Sequence, residues 1–583
     1  MWVYPLLLSV PGIALCFTEH YTAAASVANA ALPLGVYLLL CAWSRKVGRT
    51  VLLCTPLSIY AAFQIVLLFL YGESIIAVDM FLNVATTNVG EATELLANLG
   101  TAIFMVVVLY VPPIVWAIWL TVKHRAPQPK ARRTARITGI GAAVAGLAGI
   151  GAAYATEPDY SVRRELFPVN VIDNTLHAVK RYHAAKRYPA TSAAFRYDAR
   201  SSRDAEEREV YVLVVGETCR ADNWQLLGYD RATNPLLSRR EGVLAFPKVL
   251  SESNTTHKSV PLMLSPLTAE TFGDSIDCVR SVFEAFREAG YATAFFSNQQ
   301  RNGSYIDFFG EQADTCRFIA DEPHAVRSDS ALVPMLQRFI AEASARKLFV
   351  VLHSYGSHFN YSERYSASHR RFTPDSNDNA TRGNRPTLIN AYDNTIVSTD
   401  AIVDGVIGTL ASLPDSVAAA MLFVPDHGED IFDDDRERFL HASPNPTYWQ
   451  IHVPLVLWFS PGHSALHPEQ ARAARANAGK DVASSRTVFD TMLSLAGITT
   501  NHSRPFRALT DSTYSMEPRM YLNDYNEGVA LERAGLHSED FQMLAKKGIS
   551  ARRRKALHDS KLATIANQQW SKVFQKYFYI ADF

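Results

Sequence analysis

Long apolar segments are concentrated in the first 155 residues of the 583-residue chain, and they constrain its fold more than any other feature. Five segments each approach the roughly 20 residues that a helix needs to span a bilayer. They cover about 2–17, 27–43, 51–71, 99–122 and 137–155. The first has no basic residue before its apolar run and more apolar segments follow it, so we interpret it as an uncleaved helix instead of a signal peptide. The sequence therefore predicts a transmembrane domain of five helices over residues 1–155.

The charges of the loops predict the orientation of these helices, because Lys and Arg are retained on the cytoplasmic side. Basic residues without any acid follow the second segment (45–49) and the fourth (123–136). The loop 72–98 carries four acids and no base. An odd number of spans then places the N-terminus inside and everything after residue 155 outside.

From residue 206 onward, short apolar strands alternate with amphipathic helices. VYVLVVGE, ATAFFSNQ, KLFVVLHS, AAAMLFVPDHGE and VPLVLWFS are each ended by polar residues. Near-continuous apolar strands suit a mainly parallel sheet covered on both faces by helices. We predict an α/β domain over residues 206–538, with its site at the carboxyl ends of the strands.

Two further segments flank this domain. The connector 156–205 is polar and interleaves basic with aromatic residues, as in KRYHAAKRY. It fits a segment at the membrane surface or a solvated linker equally well. The tail 539–583, with ARRRK, is expected to form a basic helical extension.

Charge and cysteine content exclude some functions. The 57 basic and 57 acidic residues give a net charge of zero, which argues against a nucleic-acid partner. Of the six cysteines, three lie in the apolar N-terminal segments, and no pair has zinc-finger spacing. Cys278 and Cys316 could pair in an oxidising compartment, but the sequence leaves this open.

Three potential metal ligands stand directly after predicted strands. Glu217 ends VYVLVVGE, and Asp426 and His427 end MLFVPDHGE. Carboxylate oxygen together with imidazole nitrogen suits zinc, and manganese less well. A strand-end Glu can instead cap a helix or bond to a turn, so these residues alone do not establish a metal site.

A hydroxyl-rich turn, SESNTTHKSVPLMLSP, begins at Ser251. Ser and Thr side chains cap helices by accepting hydrogen bonds from the first free amides. A hydroxyl at a helix start beside a metal could also act as a nucleophile, because the metal and the helix dipole lower its pKa. The two roles are compatible.

Several motifs together carry a resemblance to a known family. GETCRADNWQLLGYDRATNPLL, NTTHKSVP, LHSYGSHFNYSERY, INAYDNTIVSTD and PDHGEDI occur in this order behind the apolar segments. The chain thereby resembles the phosphoethanolamine transferases of the alkaline phosphatase superfamily, which modify lipid A, lipopolysaccharide core or other envelope glycans. The resemblance extends to about residue 535 and implies an alkaline phosphatase/sulfatase-like α/β domain.

The resemblance implies a role for each matching residue. Glu217, Asp426 and His427 match the family's zinc ligands, and Thr256 matches its nucleophile, which also contacts the metal. Thr256 is preferred to Thr255 because it stands five residues before Pro261, where the family's T-x-x-S-V-P threonine falls. One or two zinc ions are expected.

Further residues are implied to bind the substrate. His358 and His441 resemble histidines that line the site, bind the phosphate or assist proton transfer. Asn83, Thr87 and Glu91 in MFLNVATTNVGEATELL resemble residues that hold the lipid head group, although their spacing also fits one polar face of an interfacial helix.

The implied reaction transfers phosphoethanolamine from phosphatidylethanolamine to a lipopolysaccharide or other envelope glycan acceptor. A phosphothreonine-type intermediate forms at Thr256 and diacylglycerol is released. The resemblance also implies a monomeric multi-pass protein in contact with membrane lipid in the bacterial inner membrane, with its catalytic domain in the periplasm.

Three alternatives differ from this interpretation. A phosphoglycerol transferase would share the spans, the threonine and the metal ligands. A sulfatase would need a C/S-x-P-x-R motif soon after the first strand, whereas the only match, SRPFR, begins at residue 503. A catalytically inactive membrane receptor or scaffold would not need the full ligand set beside Thr256.

Overall fold

The computed structural model describes residues 1–19, 21–71, 75–86, 100–157, 160–322, 328–376 and 380–551. Its N-terminal part is helical and contains apolar helices in each of the five predicted segments. In chain order these helices are α1 (Val3–Thr18), α2 (Ala23–Trp43), α3 (Val47–Leu53), α4 (Thr55–Tyr71), α5 (Val78–Thr86), α6 (Gly100–Val122) and α7 (Pro129–Thr156).

The number of membrane spans differs from the prediction. Among the described residues, α2, α6 and α7 are long and apolar enough to cross a membrane, and α3 with α4 can form a fourth span bent by 55°. The 16-residue α1 is apolar but extends only about 24 Å, less than the roughly 30 Å hydrocarbon core. The structure thus supports a membrane domain with three or four spans, not five. Hydropathy alone does not reveal how far each helix extends.

The connector contains a helix, α8 (Val169–Ala185), that packs on α5 and the residues before it. Asn174 Nδ2 donates a hydrogen bond to the carbonyl of Ile76 over 2.7 Å. Just after α8, Tyr197 is fully buried in the core of the following domain. The α/β domain therefore recruits residues upstream of the predicted boundary at 206.

An eight-stranded sheet forms the centre of the C-terminal part. Its strands are β1 (Arg208–Gly216), β2 (Val243–Leu250), β3 (Ala292–Ser297), β4 (Thr315–Phe318), β5 (Lys347–His353), β6 (Val417–Pro425), β7 (His452–Phe459) and β8 (Val482–Ala483), in the order β8-β2-β7-β6-β1-β5-β3-β4. Only β7 runs antiparallel to its neighbours. The sheet is therefore mixed but mainly parallel, as predicted.

Helices cover both faces of this sheet. Along β1 the side chains of Tyr211 and Leu213 enter one hydrophobic core, whereas Val212 and Val214 enter the other. The strand reads as a continuous apolar run because both of its faces are buried. The main helices are α9 (Thr256–Met263), α10 (Val282–Glu288), α11 (Tyr305–Gly310), α12 (Leu332–Glu342), α13 (Arg385–Ala411), α14 (Pro461–Leu466), α15 (Pro468–Asn477), α16 (Ser484–Leu495) and α17 (Ser538–Lys546).

Ion pairs, and no disulfides, hold the loops near the sheet. All six cysteines are free thiols, so Cys278 and Cys316 are not bonded to each other in this structure. Arg436 instead joins its own loop to α17, with Nη1 2.7 Å from Asp540 Oδ2. The predicted C-terminal extension begins with α17, and its part from residue 552 onward lies outside the described residues.

Candidate metal centre and active site

The register of the two central strands brings the predicted ligands together. Gly216, the last residue of β1, pairs with Pro425, the last residue of the parallel strand β6. Glu217 and Asp426 are the next residues of their chains, so both leave the sheet at the same edge. This is the edge that commonly binds ligands in open α/β sheets.

Glu217, Thr256 and His427 converge on one point above this edge. Thr256 Oγ1 lies 3.4 Å from each carboxylate oxygen of Glu217 and 3.2 Å from His427 Nε2. His427 Nε2 lies 3.6 Å from Glu217 Oε1 and 3.2 Å from Asp426 Oδ2. All four predicted metal ligands thus lie within one small cluster.

The carboxylate of Asp426 is oriented by backbone amides. Its Oδ1 accepts hydrogen bonds from the amides of Thr218, at 3.0 Å, and His427, at 2.8 Å. Its Oδ2 is buried and accepts no hydrogen bond from the described residues, and His427 Nε2 lies 3.2 Å from it. A buried carboxylate oxygen without a donor fits a site for a cation, because leaving it unpaired is costly.

Electrostatics support the same conclusion. Burial, and then the neighbouring Asp426, raise the pKa of Glu217 well above its usual value. Burial also raises the pKa of Asp426. Two buried carboxylates this close cannot both stay ionised without a nearby positive charge. With a neutral imidazole and a hydroxyl beside them, the donor set fits a divalent metal ion.

Thr256 is the first residue of α9, and Thr255 is its N-terminal cap residue. The sequence predicted a reactive hydroxyl at a helix start, and the structure places Thr256 there. At this position the helix dipole favours negative charge on the hydroxyl oxygen and on an anionic group bound to it. The threonine therefore faces the cluster with the positive end of a helix behind it.

Gln299 donates a hydrogen bond to Glu217, and it was not singled out as a site residue in the sequence. Its Nε2 donates hydrogen bonds to Glu217 Oε2, over 2.9 Å, and to the carbonyl of Ser354, over 3.0 Å. Gln299 follows β3 by two residues, at the same edge of the sheet. The rule that singled out the other strand-end residues could therefore have identified it.

His441 lies closer to the metal ligands than expected. Its ring centroid is 4.2 Å from that of His427, and potential ligand atoms of Glu217, His427 and His441 lie within 4.8 Å of one another. Its Nδ1 is 3.2 Å from Glu429 Oε1. Glu429, which is buried and also accepts a hydrogen bond from Tyr361 over 2.5 Å, fixes the ring of His441 and was not singled out in the sequence.

His358 also lies near His441, with ring centroids 5.9 Å apart. Its ring stacks on Tyr355 at 5.0 Å, and its Nδ1 is buried with no hydrogen-bond partner among the described residues. Burial lowers the pKa of His358 well below its usual value. A neutral imidazole with one free nitrogen can bind a substrate oxygen or hold a proton.

The other residues of GETCRADN have structural roles in the described fold. Cys219 is buried, and Thr218 Oγ1 donates to Glu217 Oε1 over 2.7 Å. The buried Arg220 ion-pairs with Asp433 over 2.7 Å and donates to the carbonyl of Glu429 over 3.2 Å. It thereby fixes the loop that carries the metal ligands.

The predicted head-group residues are described only in part. Asn83 lies on α5, but its side chain is outside the described residues, as are Thr87 and Glu91. These three side chains are therefore not included in the described site.

Comparisons with known proteins agree with the fold and the motifs. A sulfatase family model matches residues 209–498, and a model described as phosphoethanolamine transferase EptA/EptB matches residues 30–182. The chain is 29% identical over 303 residues to phosphoethanolamine transferase EptA of Escherichia coli O157:H7, covering 51% of this chain and 55% of that protein.

Two further relatives are similar in sequence or in structure. The Kdo(2)-lipid A phosphoethanolamine 7''-transferase of Salmonella typhimurium is 26% identical over 266 residues, which cover 45% of this chain and 46% of that protein. The chain thus spans about half the length of the curated relatives it matches. The solved lipooligosaccharide phosphoethanolamine transferase A of Neisseria meningitidis has a TM-score of 0.66 at 23% identity, covering 86% of this chain and 98% of that one.

This last likeness shows a shared fold that includes the membrane part. The EptA/EptB model matches the membrane part and the connector helix, and the sulfatase model matches the α/β domain. In both its membrane part and its α/β domain, the chain is therefore similar to the phosphoethanolamine transferases of the alkaline phosphatase/sulfatase superfamily.

Proposed function

We propose that this chain transfers phosphoethanolamine from phosphatidylethanolamine to lipopolysaccharide, at lipid A or core, or to another envelope glycan. The observation that carries this proposal is the placement of Thr256. Its hydroxyl lies at the start of α9, 3.2 Å from His427 Nε2 and 3.4 Å from the Glu217 carboxylate. A hydroxyl so placed can attack phosphorus and hold the transferred group.

The residues fit a zinc ion held by Glu217, Thr256, Asp426 and His427. Oxygen and imidazole donors in a buried cluster suit zinc, and manganese less well. When bound, such an ion supplies positive charge that favours ionisation of the threonine hydroxyl and offsets charge on the phosphoryl oxygens. The position of His441 supports a role as a further ligand to the same ion or to a second one.

The proposed reaction has two steps at Thr256. In the first, Thr256 Oγ1 loses its proton and bonds to phosphorus, the bond from phosphorus to the diacylglycerol oxygen breaks, and diacylglycerol leaves with a proton. In the second, an acceptor hydroxyl or phosphate oxygen attacks the phosphothreonine and regenerates the Thr256 hydroxyl. The positive end of α9 favours the anionic intermediate.

We assign His358 and His441 to the transferring group and its proton. Because the pKa of His358 is lowered by burial, this ring is neutral at pH 7 and acts as a hydrogen-bond donor to a phosphoryl oxygen. His441, whose Nδ1 contacts Glu429, is assigned to proton transfer to the departing oxygen where its Nε2 does not bind a metal, and the two roles are alternatives. Asn83, Thr87 and Glu91 are assigned to the lipid head group.

The membrane part supplies access to the lipid donor. We propose an inner-membrane protein whose periplasmic α/β domain extends from residue 206 to 538, behind a membrane domain (1–155) and a connector (156–205). The loop 72–98 carries acids and no base, and the basic loops 45–49 and 123–136 are assigned to the cytoplasmic side, which supports a periplasmic α/β domain. The segment 539–583 is proposed as an extension of a monomer.

We propose a phosphorylated glycolipid as the acceptor. The names of two relatives refer to lipid A and to lipooligosaccharide, which supports a phosphorylated glycolipid acceptor. A phosphoglycerol transferase remains the alternative, because the same threonine and ligands would serve it. The donor head group distinguishes the two.

Mass spectrometry of envelope lipids and glycans, with and without the chain, tests the proposal. We expect a phosphoethanolamine addition that Thr256→Ala abolishes, because losing a nucleophile costs on the order of 10⁶-fold in rate. Thr255→Ala is the matched control, since it removes the neighbouring hydroxyl and keeps the addition. A phosphoglycerol addition, an unchanged envelope, or full transfer by Thr256→Ala would each overturn the assignment.

A further inference from the structure

The helix that begins with Thr256 carries a second buried polar group, Lys258. Successive residues of a helix are turned by about 100°, so these two side chains point to nearly opposite sides. Thr256 faces Glu217 and His427, whereas Lys258 faces away from them and is 2% exposed. A lysine is seldom buried this completely without a specific partner.

The partner of Lys258 lies outside the α/β domain. Its Nζ forms an ion pair with Asp79 Oδ2, on α5, and donates a hydrogen bond to the carbonyl of Asn523 over 2.6 Å. Asp79 is itself only 3% exposed. A buried ion pair therefore crosses from the membrane part of the chain to the helix of Thr256.

Arg181 completes this cluster from α8. Its Nη1 donates to Asp79 Oδ1, over 3.3 Å, and to the carbonyl of Asp524, over 2.9 Å. His257 Nε2 lies 3.6 Å from the same oxygen of Asp79. One carboxylate on α5 thus meets basic groups from the connector helix and from the start of α9.

A second ion pair joins the connector to the α/β domain but is exposed. Arg164 Nη2 lies 3.0 Å from Glu527 Oε1, and their side chains are 53% and 48% exposed. Solvent screens such a pair, and it contributes little. The buried pair of Asp79 and Lys258, which is shielded from solvent, is the contact that can fix geometry.

We propose that Asp79 and Lys258 are positioning residues that align the Thr256 helix with the membrane-side helix α5 for attack on a membrane-embedded donor. This inference rests on the proposed function. The α5 helix also carries Asn83, which we assign to the lipid head group. Fixing α5 relative to α9 sets the distance between the lipid-binding residues and the attacking hydroxyl.

The proposal separates lipid substrates from soluble ones. A short soluble phosphodiester reaches Thr256 without the membrane part, so its cleavage requires only the site in the α/β domain. A phosphatidylethanolamine molecule is held in the bilayer, so its phosphorus reaches Thr256 only when the two parts are aligned. Loss of the ion pair must therefore impair the lipid reaction selectively.

The test uses the full chain in vesicles of phosphatidylethanolamine and phosphatidylglycerol. Diacylglycerol release from a fluorescent phosphatidylethanolamine is compared with cleavage of a soluble nitrophenyl ester of phosphoethanolamine. For Asp79→Asn we expect about a tenfold lower kcat on the lipid, and less than a twofold change on the soluble ester. Asp79→Asn keeps the side-chain shape, and Asp524 Oδ1, 4.0 Å from Lys258 Nζ, leaves the ammonium a carboxylate.

Three further variants sharpen the result. Lys258→Met should reproduce the selective loss, and the loss in the double variant should be smaller than the two single losses combined, because both variants remove the Asp79–Lys258 ion pair. Glu527→Gln is the matched control and should leave both reactions unchanged. An unchanged lipid reaction in Asp79→Asn, or an equal loss on both substrates, would overturn the proposal. Inactivity of the unmodified chain on both substrates would instead refute the proposed function.

Discussion

Gln299 offers the sharpest test of the metal centre, because it contacts a proposed ligand without being one. Its Nε2 donates to Glu217 Oε2 over 2.9 Å and to the carbonyl of Ser354 over 3.0 Å. We predict that Gln299→Leu weakens zinc binding while leaving all four proposed ligands in place. The leucine has a similar volume but cannot donate a hydrogen bond to the carboxylate.

The size of this effect follows from the bond that is lost. A hydrogen bond to a charged group contributes about 1.5–3 kcal/mol, which corresponds to roughly 10- to 150-fold in affinity. Glu217 keeps a second donor, Thr218 Oγ1 at 2.7 Å, so the carboxylate is not left unsatisfied. We therefore expect the lower half of that range, about 10- to 30-fold.

The assay is a zinc titration of the purified full chain in competition with a fluorescent chelator. At saturating zinc the turnover of Gln299→Leu should return to near that of the unmodified chain, because Thr256 is untouched. Gln337→Leu is a suitable control, since Gln337 is an exposed glutamine on α12. An unchanged zinc affinity, or a loss of turnover that saturating zinc does not restore, would refute the reasoning.

Two further predictions concern stability. Arg220→Met should lower the free energy of unfolding by about 3 kcal/mol, because the buried Asp433 loses its buried charge partner and keeps the more exposed Arg385 at 2.6 Å and the amide of Ile431 at 2.8 Å. Arg382→Gln, which breaks exposed ion pairs, should change it by less than about 1 kcal/mol. Thermal unfolding in detergent compares the two, and equal shifts would contradict the role of Arg220. Burial lowers the pKa of His463 to about 3, so this imidazole stays neutral in the folded protein at pH values where it is protonated in the unfolded chain. Its contribution to the free energy of unfolding is therefore complete above pH 6.5 and is lost as the pH falls. Between pH 6.5 and 5 the free energy of unfolding should fall by about 2 kcal/mol on account of this residue. In His463→Phe the free energy of unfolding should therefore depend less on pH over this interval.

The core of the site could be predicted from the sequence because its residues follow strands directly. Glu217 and Asp426 each come one residue after a buried strand, and adjacent parallel strands in register must end together. The hydroxyl-rich turn predicted a hydroxyl at a helix start, and the resemblance to the family motif selected Thr256 within it. In each case a local pattern determines where the side chain lies.

The supporting contacts could not be predicted in the same way. Lys258 and Asp79 are 179 residues apart in the chain, and no local sequence pattern predicts that they form an ion pair. The span count failed for a related reason. Hydropathy reports an average over a window, whereas the 16-residue length of α1 and the 55° bend between α3 and α4 depend on where individual helices end.

The segment from Asp426 to Asp430 shows how one short stretch supports both parts of the site. Asp426 and His427 face the proposed metal, whereas Glu429 turns to the ring of His441 and Asp430 Oδ1 accepts a hydrogen bond from Thr447 over 2.9 Å. Gly428 lies between these two pairs of residues, against the backbone of Trp449. A Cβ atom at position 428 would lie 2.2 Å from the carbonyl oxygen of Trp449. Only glycine fits, so the chain can turn here from the metal ligands to the residues that orient His441. The backbone path of PDHGED therefore brings the proposed metal ligands close to the residues that orient His441.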